Sequence, residues 1–102
     1  MLVAFSVAPS GSADESGSVA KAVAAAVEVV RASGLPNRTD AMFTTIEGEW
    51  DEVMAVVRRA TEAVGAYGSR VSLVLKADIR PGFTGELDGK VERLEAHLAE
   101  RE

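Results

Sequence analysis

Two apolar stripes at helical spacing, each set between segments that alternate with a period of two, constrain this chain most. Val19, Val23, Val27 and Val30 share one helical face with Ala22 and Ala26 beside them, and Val53, Val57, Ala60 and Val64 repeat the spacing. Ahead of the first stripe, Leu2 to Ala8 alternates among β-formers until Pro9 and predicts the first strand. Ser10 to Gly17 holds three Ser, two Gly and two acids, which predicts a flexible polar loop, and Ser16 or Ser18 is placed to cap the helix after it. Ser33, Gly34 and Pro36 close that helix, because Gly suits the left-handed closing residue and Pro cannot continue the turn.

Between the stripes, Thr39 to Glu49 has room for two short strands or one long bent one. There Phe43, Thr45 and Glu47 alternate against Met42, Thr44 and Ile46 until Gly48 breaks the pattern. Glu49, Asp51 and Glu52 stand where the positive end of the second helix dipole favours acids, and Gly65 and Gly68 end that helix. Arg70 to Arg80 reads as the last strand, with Val71, Leu73 and Leu75 on one face and Ser72, Val74, Lys76 and Asp78 on the other. Arg80, Pro81 and Gly82 predict a turn, and Leu87, Val91, Leu94 and Leu98 predict a third, closing helix.

The order β, α, β, β, α, β, α predicts one α+β domain over residues 1–102. It is a ferredoxin-like βαββαβ antiparallel sheet with an additional C-terminal helix, in which two helices cover one sheet face. The mixed character of Val74, Ser72, Lys76 and Asp78 leaves the other face without an obvious cover. Ala supplies 17 and Val 14 of the apolar side chains, so the core is numerous but thin. Burial stabilises by roughly 25 cal/mol per Å² of apolar area, and small side chains contribute little each. Association between subunits, through sheets or the third helix, is therefore expected to supply part of the stability.

Composition excludes several chemistries. Without Cys there are no disulfides, cysteine zinc sites or thiol nucleophiles. His97 is the single His and lies among acids on the closing helix, where it reads as a surface residue, so neither a metal site nor a catalytic residue is assigned. The net charge of −5 with few aromatics argues against nucleic acid, whose binding depends on neutralising phosphate. No apolar run approaches the roughly 20 residues of a membrane helix, and the apolar N-terminus lacks a basic leader, so a soluble, cytoplasmic protein is expected. The Gly/Ser loop matches neither the Walker nor the dinucleotide pattern and carries Asp14 and Glu15, which would repel an anion. Acyl-phosphate hydrolysis on this fold needs a loop cation that is missing there.

Polar groups standing where strands usually carry apolar ones are the remaining candidates: Ser6, Thr44, Thr45, Glu47, Asp78 and Arg80. Thr is a good strand former, and Asp78 could pair with Lys76 or Arg80, so a structural role is open for each. Glu47 is harder to dismiss, because a half-buried carboxylate normally has a partner, either a ligand or the start of the next helix.

The run Thr44, Thr45, Ile46, Glu47, Gly48, followed at once by Trp50, Asp51, Glu52, Val53 and Met54, resembles the small thiamine-binding protein family. The resemblance extends upstream through Ser18, Val19, Ala20 and Ser33, Gly34, Leu35. Downstream it runs through Arg70, Val71, Leu75 to Arg80 and Gly89, Lys90, Val91. It implies non-catalytic binding of thiamine or its hydroxymethylpyrimidine part, with no further cofactor, in a homotetramer built as a dimer of dimers. Carried over residue by residue, it points to Thr44, Thr45 and Glu47, then to Ser6, Ser18, Asp78 and Arg80, while the pocket chemistry itself makes Phe43 or Phe5 the candidate aromatic wall. The loop Pro9 to Ser16 departs from the family pattern in being longer and more acidic. Such a ligand is a cation bearing an aminopyrimidine, which calls for a carboxylate, hydroxyls and an apolar wall, and the negative net charge suits it better than a phosphorylated form. Two other readings follow from the same residues: an oligomeric interaction or regulatory module with no small ligand, and a domain that binds an amino acid as effector.

Overall fold

The computed structural model describes residues 1–10 and 15–101, and the side chains of residues 15–18 lie outside the described part. The elements are β1 (Leu2–Ser10), α1 (Glu15–Ala32), β2 (Asn37–Thr39), β3 (Thr44–Glu47), α2 (Trp50–Val64), β4 (Arg70–Asp78) and α3 (Glu86–Ala99), with one 3₁₀ turn (Gly65–Tyr67) after α2. The four strands form one antiparallel sheet in the order β2-β3-β1-β4, the expected ferredoxin-like arrangement. No helix among the described residues is long and apolar enough to cross a membrane.

Register fixes the two faces. Val3 pairs with Ile46 and Phe5 with Thr44, so these four side chains point to the same side, where α1 and α2 pack. The buried apolar core there is Val3, Phe5, Val7, Ala22, Ala26, Val30, Ile46, Val53, Val56, Val57, Ala60 and Val64, all Val or Ala apart from Phe5 and Ile46. Each fully buried Val contributes roughly 1.5 to 3 kcal/mol, and the Ala positions let α1 and α2 approach closely. The opposite face carries Ala4, Ser6, Thr45, Glu47 and the exposed Val74, Lys76 and Asp78.

Several boundaries and faces differ from the sequence reading. β1 continues two residues beyond Ala8 through Pro9, because there it pairs only with β4, and a missing N–H on the unpaired edge costs no ladder bond. Gly68, extended, packs so tightly on that end of β1 that a Cβ there would lie 2.8 Å from the Ser10 carbonyl oxygen. α1 begins at Glu15, which puts Ser16 and Ser18 within its first turn instead of ahead of it. Its buried stripe is Ala22, Ala26 and Val30, whereas Val19 and Val23 are exposed. With Ala or Val at 11 of its 18 positions, the helix is apolar over more than one face, and the sheet selects the smallest one. The Thr39 to Glu49 stretch forms two short strands, and β4 ends at Asp78 instead of Arg80.

α2 agrees throughout: Val53, Val57, Ala60 and Val64 are buried, joined by Val56, and the Glu49 N–H donates to Glu52 Oε1 at 3.1 Å at its start. Pro81 and Gly82 form the expected turn, with the Phe83 N–H donating to the Arg80 carbonyl and Gly82 at φ +83°. α3 lies against the rim of the sheet near β3, and its Val91, Leu94 and Leu98 remain exposed, Leu94 by 56%.

Candidate functional site

The shortness of β3 creates a notch. β3 pairs with β1 only up to Thr44 opposite Phe5, yet β1 runs on to Ser10. From Ser6 onward, the edge of β1 that faces β3 has no strand beside it, and every second residue there turns its backbone polar groups toward the gap. The loop 40–43 and the flank of α1 close the gap into a cavity of about 160 Å³. Its walls are Phe5 to Ala8, Val23, Ala26, Val27 and Thr39 to Thr44.

The polar groups of the notch are held firmly. Thr44 is buried, and its Oγ1 lies 3.1 Å from Thr39 Oγ1 across β2 and β3. Asp40 Oδ1 accepts the N–H groups of Met42 at 2.8 Å and Phe43 at 3.0 Å, while the Asp40 N–H donates to the Phe43 carbonyl at 2.9 Å. The Met42 and Phe43 donors hold the Asp40 carboxyl below its ordinary range, so it is anionic at neutral pH. Phe43 is half-buried and supplies an aromatic wall. The site thus offers hydroxyls, an aromatic ring and one carboxylate around an apolar floor.

A second cavity, of about 330 Å³, sits at the other end of β3, between Leu35, Pro36, Gly48 and Glu49 on one side and Phe83 to Gly85, Leu87 and Asp88 on the other. Glu47 borders it, but its carboxylate is occupied: Oε2 accepts the Glu86 N–H at 2.8 Å and Oε1 the Leu87 N–H at 3.0 Å. The residue ahead of α3 is Gly85, at φ +68°, which has no side chain to cap the helix. Glu47 therefore caps α3 from 39 residues upstream, where the helix dipole favours a negative charge. Its partner is the last helix and not the next one.

Of the residues singled out from sequence, the fold brings Phe43 and Thr44 together at the notch, while Ser6 borders it from β1 with its side chain on the opposite sheet face. Thr45 points to the other sheet face, opposite Ala4 and Arg38. Glu47 lies about 10 Å along the strand from Thr44, also on that other face. Asp78 pairs with Lys90 of α3 at 2.6 Å, and that hydrogen bond chiefly lowers its pKa. The Arg80 guanidinium sits 3.6 Å above the centre of the Phe83 ring. Asp78 and Arg80 border a small cleft with Glu86, Lys90 and Arg93, away from the notch. The Ser18 side chain is outside the described residues. The sequence reading passed over Thr39 and Asp40; the signal for Asp40 was an Asp placed to bond the backbone two and three residues on, a turn pattern. Among the described residues, no three His, Asp or Glu side chains gather as a metal-holding group.

The family model described as thiamine-binding protein matches residues 3–95 of this chain. The chain belongs to the thiamine-binding protein family. A UPF0045 protein of Mycobacterium bovis is 56% identical over 99 residues, covering 96% of this chain and 94% of that protein. Among solved structures, a protein of Methanocaldococcus jannascii superposes with a TM-score of 0.80 at 30% identity, over 92% of this chain and 94% of the other. A Thermotoga maritima protein, described as a candidate thiamine biosynthesis/salvage protein, superposes at 0.73 with 26% identity, over 89% and 96%. This family is described by what it binds and not by a reaction.

Proposed function

We propose that this thiamine-binding family member binds thiamine or its hydroxymethylpyrimidine moiety without chemical turnover, in the notch beside β3, and serves as a cytoplasmic carrier or sensor. The observation that carries this reading is the gathering of Thr39, Thr44, Phe43 and Asp40, with the open edge of β1 from Ser6 onward, around one cavity. A volume of about 160 Å³ is below the 300 Å³ or more that whole drug-sized ligands fill. The aminopyrimidine ring enters, where hydroxyls and the open edge of β1 can meet its ring nitrogens and amine, and the rest of thiamine stays at the mouth. Of the family-implied positions, Thr44 and Phe43 touch the ring, and Ser6 contributes only the open backbone edge of β1. Glu47 acts through α3.

Self-association completes the fold in this reading. Val91, Leu94 and Leu98 on α3 are exposed, as is Val74 of β4 on the half-apolar open sheet face, and a second copy covers them, as a dimer or a tetramer. Thermal unfolding with and without thiamine tests the binding claim, since a ligand at a hundredfold its Kd stabilises by about 2.7 kcal/mol. A rise in Tm that Thr44→Val abolishes supports it. No shift with millimolar thiamine or pyrimidine overturns it and favours an interaction module without a small ligand; a shift with an amino acid instead would favour an effector domain.

A further inference from the structure

Among the described residues that wall the notch, Asp40 is the one ionisable side chain. Its neighbours there are hydroxyls, backbone and apolar groups, and no Lys or Arg among the described residues forms an ion pair with it. Every other carboxylate that borders a cavity near β3 or β4 is engaged: Glu47 with the α3 amides, Asp88 with Arg38, Asp78 with Lys90 and Glu86 with Arg93, while Glu49 stands at the start of α2. Asp40 is held in place through Oδ1 alone, by two backbone N–H groups, which leaves its charge uncompensated at the mouth of the cavity.

We propose that Asp40 is the specificity-determining residue of the notch, admitting cationic heterocycles and turning away their phosphorylated forms. The proposal rests on the notch being the ligand site. Two unit charges about 4 Å apart attract by a factor of about five in affinity even at the dielectric of water, and by more where water is thinned out. The same carboxylate repels a phosphate by a comparable factor. A ring that enters first and leaves a positive charge at the mouth meets Asp40, whereas an uncharged pyrimidine alone does not depend on it.

Asp40→Asn separates charge from loop structure, because the Asn carbonyl oxygen can still accept from Met42 and Phe43. Calorimetry of the wild type and this variant is run with thiamine, with thiamine monophosphate, and with hydroxymethylpyrimidine at a pH where its ring is neutral. The expected result is a loss of about fivefold or more for thiamine at low salt, shrinking as salt is added. The neutral pyrimidine should hold within about twofold, and the preference for thiamine over its monophosphate should narrow. Unchanged thiamine affinity in the variant overturns the role of Asp40 and leaves the notch as the ligand site. Equal losses for thiamine and the neutral pyrimidine also overturn it, by showing that the residue only shapes the loop. If the wild type binds none of the three ligands, the notch reading itself falls and this proposal with it.

Discussion

Glu47→Ala should free the start of α3 while leaving the sheet in place. The Glu47 carboxylate is buried and accepts two backbone N–H groups, at 2.8 and 3.0 Å, one of them from the buried Glu86. Losing a helix cap costs about 0.5 to 2 kcal/mol, and stranding a buried donor about 1 to 3 kcal/mol. Because the Leu87 N–H is only partly buried and can turn to water, we expect a total of about 2 to 3 kcal/mol, not the sum of both upper limits. α3 is otherwise joined to the body mainly by the ion pairs Arg38–Asp88 and Lys90–Asp78, whose side chains are largely exposed and contribute little. The loss is therefore concentrated in α3. Hydrogen exchange should speed up by about thirty- to 150-fold across Glu86–Ala99, with Leu2–Ser10 and Thr44–Glu47 changing less. Urea unfolding gives the global part, and Glu47→Gln, which keeps one acceptor, should lose about half as much. A change below about 0.5 kcal/mol with α3 protection intact would show that Glu47 does not cap α3.

Thr44→Val removes the hydroxyl that faces Thr39 Oγ1 and should cost about 1 kcal/mol of stability while weakening thiamine binding by a larger factor; calorimetry beside urea unfolding reads both. Gly68→Ala places a methyl 2.8 Å from the Ser10 carbonyl oxygen and 3.0 Å from the Pro9 side chain, so β1 must shift. We expect a loss of about 1 to 3 kcal/mol, and a neutral variant would mean that the end of β1 is looser than it looks. Leu94→Glu puts a charge in the exposed α3 stripe and should lower the mass seen by light scattering without lowering helicity. The carboxyls of Asp78 and Glu86 are lowered by hydrogen bonds from Lys90 and Arg93 respectively. Their contribution is full above the ordinary carboxylate values of 3.8 and 4.5 and is lost as pH falls through the lower folded values. Urea midpoints measured down the acid range should fall there and flatten at that end in the Lys90→Met, Arg93→Met double variant.

How much of this was legible in the sequence depended on contrast between faces. α2 could be read residue by residue because its Val stripe is flanked by Arg58, Arg59 and Glu62, which leave only one face apolar. α1 was legible as a helix but not in rotation, since Val19 and Val23 look as buriable as Ala22 and Ala26, and only the closeness of the sheet chooses the smaller face. Glu47 was recognisable as a carboxylate that needs a partner, yet that partner is the backbone of Glu86 and Leu87, which carries no side-chain signature. The family resemblance read from Thr44 to Met54 is matched by the family model over residues 3–95. The notch was hidden for a different reason. It exists because β3 begins only at Thr44, opposite Phe5, while β1 continues to Ser10, and strand lengths are set by pairing that alternation alone does not disclose. Thr45, Glu47 and Asp78, grouped with Thr44 by their polarity, fall on the other face or at the other end of the sheet.

A ligand seated in the notch beside β3 perturbs the backbone amides that line it. Amide correlation spectra recorded while thiamine is added test it most directly, because they report each backbone N–H separately. Shifts concentrated at Ser6 to Ala8 and Thr39 to Thr44 are expected. Shifts centred on Gly48, Glu49 and Phe83 to Asp88 would place the ligand in the cavity under α3 and rule out the notch, as would spectra that do not move at all.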